Sequence, residues 1–168
     1  RCVASAAGTP YGVVQAGLAA LQGAKHGGHT ERVAALFQEA EAVGAEAAVH
    51  SRLRRGEGMP GFGHPLYPDG DPRGRFLLQQ VADATLAPGL AAELATAVYH
   101  SIGARPTVDF GLVAVARALK LPGYAPLLLF ALGRTAGWIG HALEQYQLDQ
   151  IIRPRARYVG PPAKAHAG

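Results

Sequence analysis

A chain of 168 residues, 49% of them hydrophobic, is long enough to bury one sizeable core and is ordinary for a globular domain. Its single cysteine, Cys2, excludes an internal disulfide framework and fits a reducing compartment, and no apolar run or signal-peptide pattern marks a membrane span or export. The formal net charge of +4 suits anionic metabolites or a phosphate-bearing ligand. Arg153, Arg155 and Arg157 lack the aromatic-interleaved or helix-turn-helix setting of a nucleic-acid site.

The expected setting is therefore the cytoplasm, with no nucleic-acid partner and no membrane. The first residue is Arg1 and the only methionine is Met59, so the chain is expected to have lost its start or to be a piece of something longer.

In chain order, Val14, Leu18 and Leu21 recur at helical spacing from Tyr11 to Gln22, and Gly23 breaks the pattern. His26 and His29 then flank two glycines. Thr30 is the expected N-cap of the next helix, with Glu31 favouring its dipole and Val33, Leu36, Phe37 and Ala40 forming its apolar stripe. Gly44 ends it, and a shorter helix covers Ala45–Arg55. After a long loop, Leu77, Leu78, Val81 and Ala82 mark a helix ending before Pro88-Gly89. Leu90, Leu94 and Val98 carry another toward Gly103.

Asp109 is expected in a proline-led turn before the apolar run Leu112–Leu119, which Pro122-Gly123 closes. A last long helix runs from about Pro126 to Gln150, with Arg134, Trp138 and His141 on nearly one face, before an irregular tail. No alternating strand pattern occurs, so the predicted fold class is all-α.

The loop Met59–Arg73 reads M-P-G-F-G-H-P-L-Y-P-D-G-D-P-R. Its glycines open unusual backbone angles and its prolines fix theirs, which makes it a constrained loop rather than a floppy linker. Asp71 is the predicted N-cap and Pro72 the first residue of the following helix, placing Arg73 in the first turn. A rigid loop presenting the His64 imidazole beside a guanidinium fits an anionic substrate. The plainer reading is a compact connection between helices. His26, His64 and Asp109 together supply the groups that move protons on carbon beside a carbonyl. His26 and His29 alone make a poor metal site without further ligands, so no metal is expected.

Five segments in fixed order, H-G-G at 26–28, P-G-F-G-H at 60–64 leading to D-P-R at 71–73, V-D-F at 108–110, R-T-A-G-W-I-G-H at 134–141 and R-P-R-A-R-Y-V-G at 153–160, resemble the C-terminal portion of the citrate synthase family. The resemblance extends from Cys2 to about Gly160. It implies a multi-helical fold incomplete at its N-terminus, with residues 1–30 and 126–168 belonging to a large domain and 31–125 forming a small one.

It also implies an acyltransferase condensing acetyl-CoA, or another short acyl-CoA, with oxaloacetate or a related 2-oxo acid. The coenzyme A thioester acts as co-substrate and no cofactor is permanently bound. In this resemblance Asp109 matches the carboxylate base, His26 the donor to the enolate oxygen, and His64 the histidine that polarises the ketone. Arg73, Arg134 and Arg153 match carboxylate-binding arginines, for which guanidinium forks are suited. Arg153 resembles the one that reaches a neighbouring subunit, which implies a homodimer. Gly61, Phe62 and Gly63 resemble the segment against the adenine of coenzyme A.

The chain departs from the family pattern at three places. His29-Thr30 stands where Ala-Asn is usual, Gly111-Leu112 where Tyr-Ser-Gly is common, and Pro65 where an arginine often follows the loop histidine. The last is more similar to divergent and citryl-CoA-cleaving branches. The family's upstream half, with another substrate-binding histidine, is expected in the same longer chain or in a separate subunit, and the 168-residue piece alone is expected to be inactive. A non-catalytic module binding coenzyme A or carboxylates is the alternative.

Overall fold

The computed structural model describes residues 1–23, 28–85, 89–157 and 159–160. The described residues form helices α1 (Cys2–Ser5), α2 (Pro10–Leu21), α3 (Gly28–Val43), α4 (Ala45–Arg54), α5 (Pro72–Thr85), α6 (Leu90–Ile102), α7 (Val108–Ala118) and α8 (Ala125–Leu148). The only extended pairing among them is one antiparallel bridge between Phe62 and Pro106, so the fold is all-α, as expected. None of these helices is long and apolar enough to cross a membrane.

Two apolar cores result. The larger joins α3, α4, α6, α7 and the loop around Met59. The predicted stripe of α3 lies at its centre: Val33, Leu36, Phe37 and Ala40 are all buried, and the Phe37 and Phe110 rings meet at 5.0 Å between centroids. Each such side chain removed from water contributes about 1.5–3 kcal/mol. Gly44, at φ 89°, turns the chain sharply between α3 and α4. Arg52 returns from α4 to hold both carboxylate oxygens of Glu39 at 2.7 Å.

The smaller core joins α1, α2 and α8 through Ala4, Val13 and Ala142, with Trp138 and Tyr146 against it. Trp138 lies so close to Gly17 that a Cβ there would stand 2.7 Å from the indole.

Several local expectations shift. The short α1 carries no periodic signal long enough to read. In α2 the buried positions are Val13 and Leu21, whereas Leu18 is exposed, because the approach of Trp138 at Gly17 selects which face turns inward. Thr9, rather than any residue singled out in the sequence, caps α2 by accepting the Gly12 amide at 3.2 Å. Thr30 is a buried residue within the first turn of α3, not its cap, since that helix already runs from Gly28. Asp109 likewise sits inside the first turn of α7 instead of in the preceding turn. Arg134, Trp138 and His141 do share one side of the continuous α8, but with different surroundings: Trp138 packs against the smaller core while the exposed His141 bonds Arg1 at 2.8 Å.

Helices α5 and α7 cross at two glycines. A Cβ on Gly74 would lie 2.5 Å from the Thr107 carbonyl oxygen, and one on Gly111 would lie 2.9 Å from Leu77 Cβ. The first obstacle is backbone and cannot rotate away. Gly74→Ala is therefore expected to destabilise the protein by about 2–4 kcal/mol despite the better helix propensity of alanine. Urea unfolding checks this, and a gain in stability would contradict the crossing.

Candidate functional site

The rigid loop is fastened to the start of α7 by a short two-stranded ladder. Thr107 donates its amide to the Gly61 carbonyl at 2.8 Å and its hydroxyl to the same oxygen at 3.1 Å, while Gly63 donates to the Arg105 carbonyl at 2.9 Å. Gly61, at φ 83°, has no room for a side chain, because a Cβ would stand 2.8 Å from Val33 and 3.1 Å from Phe110. Phe62 packs on Phe110 with ring centroids 4.7 Å apart. His29, on α3, completes the anchorage by accepting the Gly61 amide at Nε2, 3.2 Å away.

This framework fixes His64. Its Nδ1 accepts the Leu66 amide at 3.1 Å, so in the neutral ring the proton resides on Nε2, which becomes a donor. The ring lies 5.0 Å from that of Tyr67, and Tyr67 in turn lies beneath the Arg73 guanidinium, 5.2 Å from its Cζ.

Asp71 organises the group. Oδ1 accepts the Arg73 amide at 3.0 Å and Arg73 Nε at 2.9 Å. Oδ2 accepts Arg73 Nη2 at 2.9 Å and the Val108 amide at 2.9 Å. One carboxylate thus caps α5 and α7 together. Burial by itself would raise the Asp71 carboxyl, but the Arg73 side-chain bonds, the two amides and the nearby positive charge outweigh it and hold it below its ordinary range. Arg73 is correspondingly raised, first by its bonds to Asp71 and further by the charges of Tyr67 and Asp109.

Of the residues singled out in the sequence, the structure sets His64 and Arg73 against the Tyr67 ring, beside the Gly61–Gly63 segment, and Asp109 in the first turn of α7, one residue past the Val108 amide that Asp71 holds. The Nε–Nη2 edge of Arg73 is occupied by Asp71, which leaves the Nη1–Nη2 end to receive a carboxylate. The amides of Gly61, Phe62 and Gly63 are all engaged internally. The carbonyls of Phe62 and Gly63 accept no hydrogen bond among the described residues. Arg134 is exposed on α8 and Arg153 is exposed in the extended stretch after it. Among the described residues, no hydrogen bond or ion pair joins either to this group. His26 lies outside the described residues.

Sequence reading missed Tyr67 and the clamp on Arg73, although the D-P-R spacing, which sets the acid two residues before the arginine at a helix start, carries the signal. It also missed His29, whose acceptor role depends on a residue 32 positions away.

Residues 1–155 match the model of the citrate synthase C-terminal domain. The chain is 34% identical over 158 residues to citrate synthase 2 of Bacillus subtilis, covering 90% of this chain and 42% of that protein. The solved ternary complex of citrate synthase from Thermoplasma acidophilum with carboxymethyl coenzyme A and oxaloacetate superposes with a TM-score of 0.77 at 28% identity, covering 99% of this chain and 48% of that one. Citryl-CoA lyase from Hydrogenobacter thermophilus gives a TM-score of 0.79 at 26% identity, covering 97% and 68% respectively. The chain spans less than half the length of the curated relatives it matches, 42–46% for the first of them.

Asp71 sets an acid limit. Its folded pKa lies below the ordinary 3.8, so its contribution is complete above that value and is lost as pH falls through the folded one. Asp71→Ala is expected to cost about 2–3 kcal/mol at neutral pH through two lost helix caps. Asp71→Asn should lose part of the stability decline expected as pH falls below 3.8. Urea titrations across pH check both, and an Asn variant with the unaltered acid profile would refute the assignment.

Proposed function

The chain belongs to the citrate synthase family, and from that membership we propose that it carries most of the reacting groups of an acyl-CoA condensing enzyme. Asp109 removes a methyl proton from the acetyl-CoA thioester, and the oxygen of the resulting enolate is met by a hydrogen bond from His26. The enolate carbon attacks the ketone of oxaloacetate or a related 2-oxo acid, whose oxygen takes the proton carried by His64. Water then cleaves the thioester to release citrate and coenzyme A. Arg73, Arg134 and Arg153 hold the carboxylates, and the Gly61–Gly63 backbone lies along the adenine through the Phe62 and Gly63 carbonyls. Coenzyme A thioester is a co-substrate, and no cofactor stays bound.

One observation carries this reading. The Leu66 amide on Nδ1 leaves His64 with a donor at Nε2, which is the polarity a ketone oxygen requires, and the Tyr67 ring lies between it and the Arg73 guanidinium that Asp71 holds. A thioester methyl is a weak acid, so a carboxylate base depends on such preorganised donors more than on its own basicity.

The two separate cores support reading 31–125 as a small domain and 1–30 with 126–168 as parts of a large one. On α8, Leu128, Leu132, Ile139 and Leu143 share one face at 38–73% exposure, which fits a surface covered by the rest of the large domain and a second subunit in a cytoplasmic homodimer. Cleavage of citryl-CoA by the same groups is the second reading. It is supported by Pro65, which stands where an arginine often follows the loop histidine and is more similar to the citryl-CoA-cleaving branches.

The test combines this chain with the missing half, in one polypeptide or as a second subunit, and measures coenzyme A release from acetyl-CoA plus oxaloacetate. Asp109→Ala and His64→Ala are each expected to lower the rate by at least about a hundredfold. Activity with citryl-CoA alone would select cleavage. A complete complex that binds coenzyme A yet turns over neither substrate would overturn both readings.

A further inference from the structure

Behind the catalytic loop, α5 leans on α7 while α6 leans on α3 and α4, and α5 and α6 scarcely touch. The gap between them is a groove of about 660 Å³, well within the roughly 300–1,000 Å³ of small-molecule sites. Its floor and walls are apolar, formed chiefly by Phe37, Leu78, Val81, Leu90, Ala95 and Ala114.

The charge is not spread evenly along it. Helices α5 and α7 run parallel, Gly74 beside Thr107 and Leu77 beside Gly111, so the groove has two distinct ends. At the Gly70 end stand Arg75, one turn into α5 with its amide on the Asp71 carbonyl, and Arg105, whose Cδ would lie 2.9 Å from a Cβ on Gly70. Neither guanidinium has a carboxylate partner among the described residues, since Asp71 is occupied by Arg73 and the Val108 amide, although the Arg105 guanidinium stacks over the Tyr99 ring with its Cζ 4.8 Å from the centroid. At the other end Arg117 is already paired with Glu41 and covers the Phe37 ring at 5.3 Å.

We propose that this groove binds a soluble amphipathic anion, a single carboxylate carried on an alkyl chain, with the head between Arg75 and Arg105 and the chain along Leu78, Val81 and Ala114. The pairing follows from two guanidiniums without carboxylate partners at the mouth of an apolar trough, Arg105 keeping its donor edge while its face rests on Tyr99: a neutral alkyl ligand leaves the head unmatched, and a small anion leaves the trough unfilled. The groove borders the His64–Arg73–Asp109 group at Asp71, which lines its Gly70 end with both carboxylate oxygens already bonded, and binding there does not depend on the reaction proposed for that group.

Isothermal titration of the purified protein with decanoate, kept below its micelle concentration, should show saturable one-to-one binding. Decanol and acetate should each bind at least about tenfold more weakly. Arg75→Gln with Arg105→Gln should bring decanoate down to the level of decanol. Ala95→Leu, which fills the trough, should weaken decanoate and decanol alike. Both arginines are exposed, so the double variant decides the question even if the filled variant fails to fold. Methyl shifts on binding should centre on Ala91, Ala95 and Ala114. Absence of saturable heat, equal affinity for decanol, indifference to the double arginine variant, or capture by anionic phospholipid vesicles in place of free decanoate would each overturn the proposal.

Discussion

A single buried carboxylate holds the working end of this molecule together. Asp71 is 2% exposed and satisfies four donors: the first-turn amide of α5, the leading amide of α7, and two nitrogens of Arg73. Helix N-termini leave amides without partners and concentrate positive potential, so one anion between two of them serves both. Ordinarily a carboxylate removed from water is costly. Here the half-exposed Arg73 brings a matching charge without being buried itself, which keeps the desolvation penalty to one member of the pair.

From that point the geometry propagates outward. Joining the two helix starts sets Pro106 beside Phe62, and the ladder through Gly61 and Gly63 then fixes the loop that carries His64. Close approach at Gly74 and Gly111 lets α5 and α7 lie near enough for one carboxylate to reach both. The site residues are thus displayed by backbone contacts and small residues rather than by contacts among themselves, which suits a cleft whose second wall comes from elsewhere.

Much of this was legible in order but not in detail. Helix periodicity locates seven of the eight helices among the described residues, and the stripe of α3 is legible residue for residue, because a helix packed deep in a core must keep its apolar face continuous. Where the partner is a single large ring, as with Trp138 over Gly17, local periodicity could not say that Val13 rather than Leu18 would be covered. Capping by a distant residue is equally invisible: nothing near Val108 announces that Asp71 will take its amide. The D-P-R start was readable, since both its cap and its proline act within one turn.

The departures from the family pattern acquire physical reasons once the contacts are known. Where alanine is usual, His29 adds a ring acceptor that reaches the otherwise unbonded Gly61 amide, exchanging a small side chain for a tether on the loop. Gly111, standing where a bulkier residue is common, admits Leu77 at a distance no side chain there would allow. Both changes tighten the seating of the loop and of α7 without altering His64, Arg73 or Asp109. Residues that match the family's motifs and the packing that seats them are therefore separable, and this chain varies the second around a constant first.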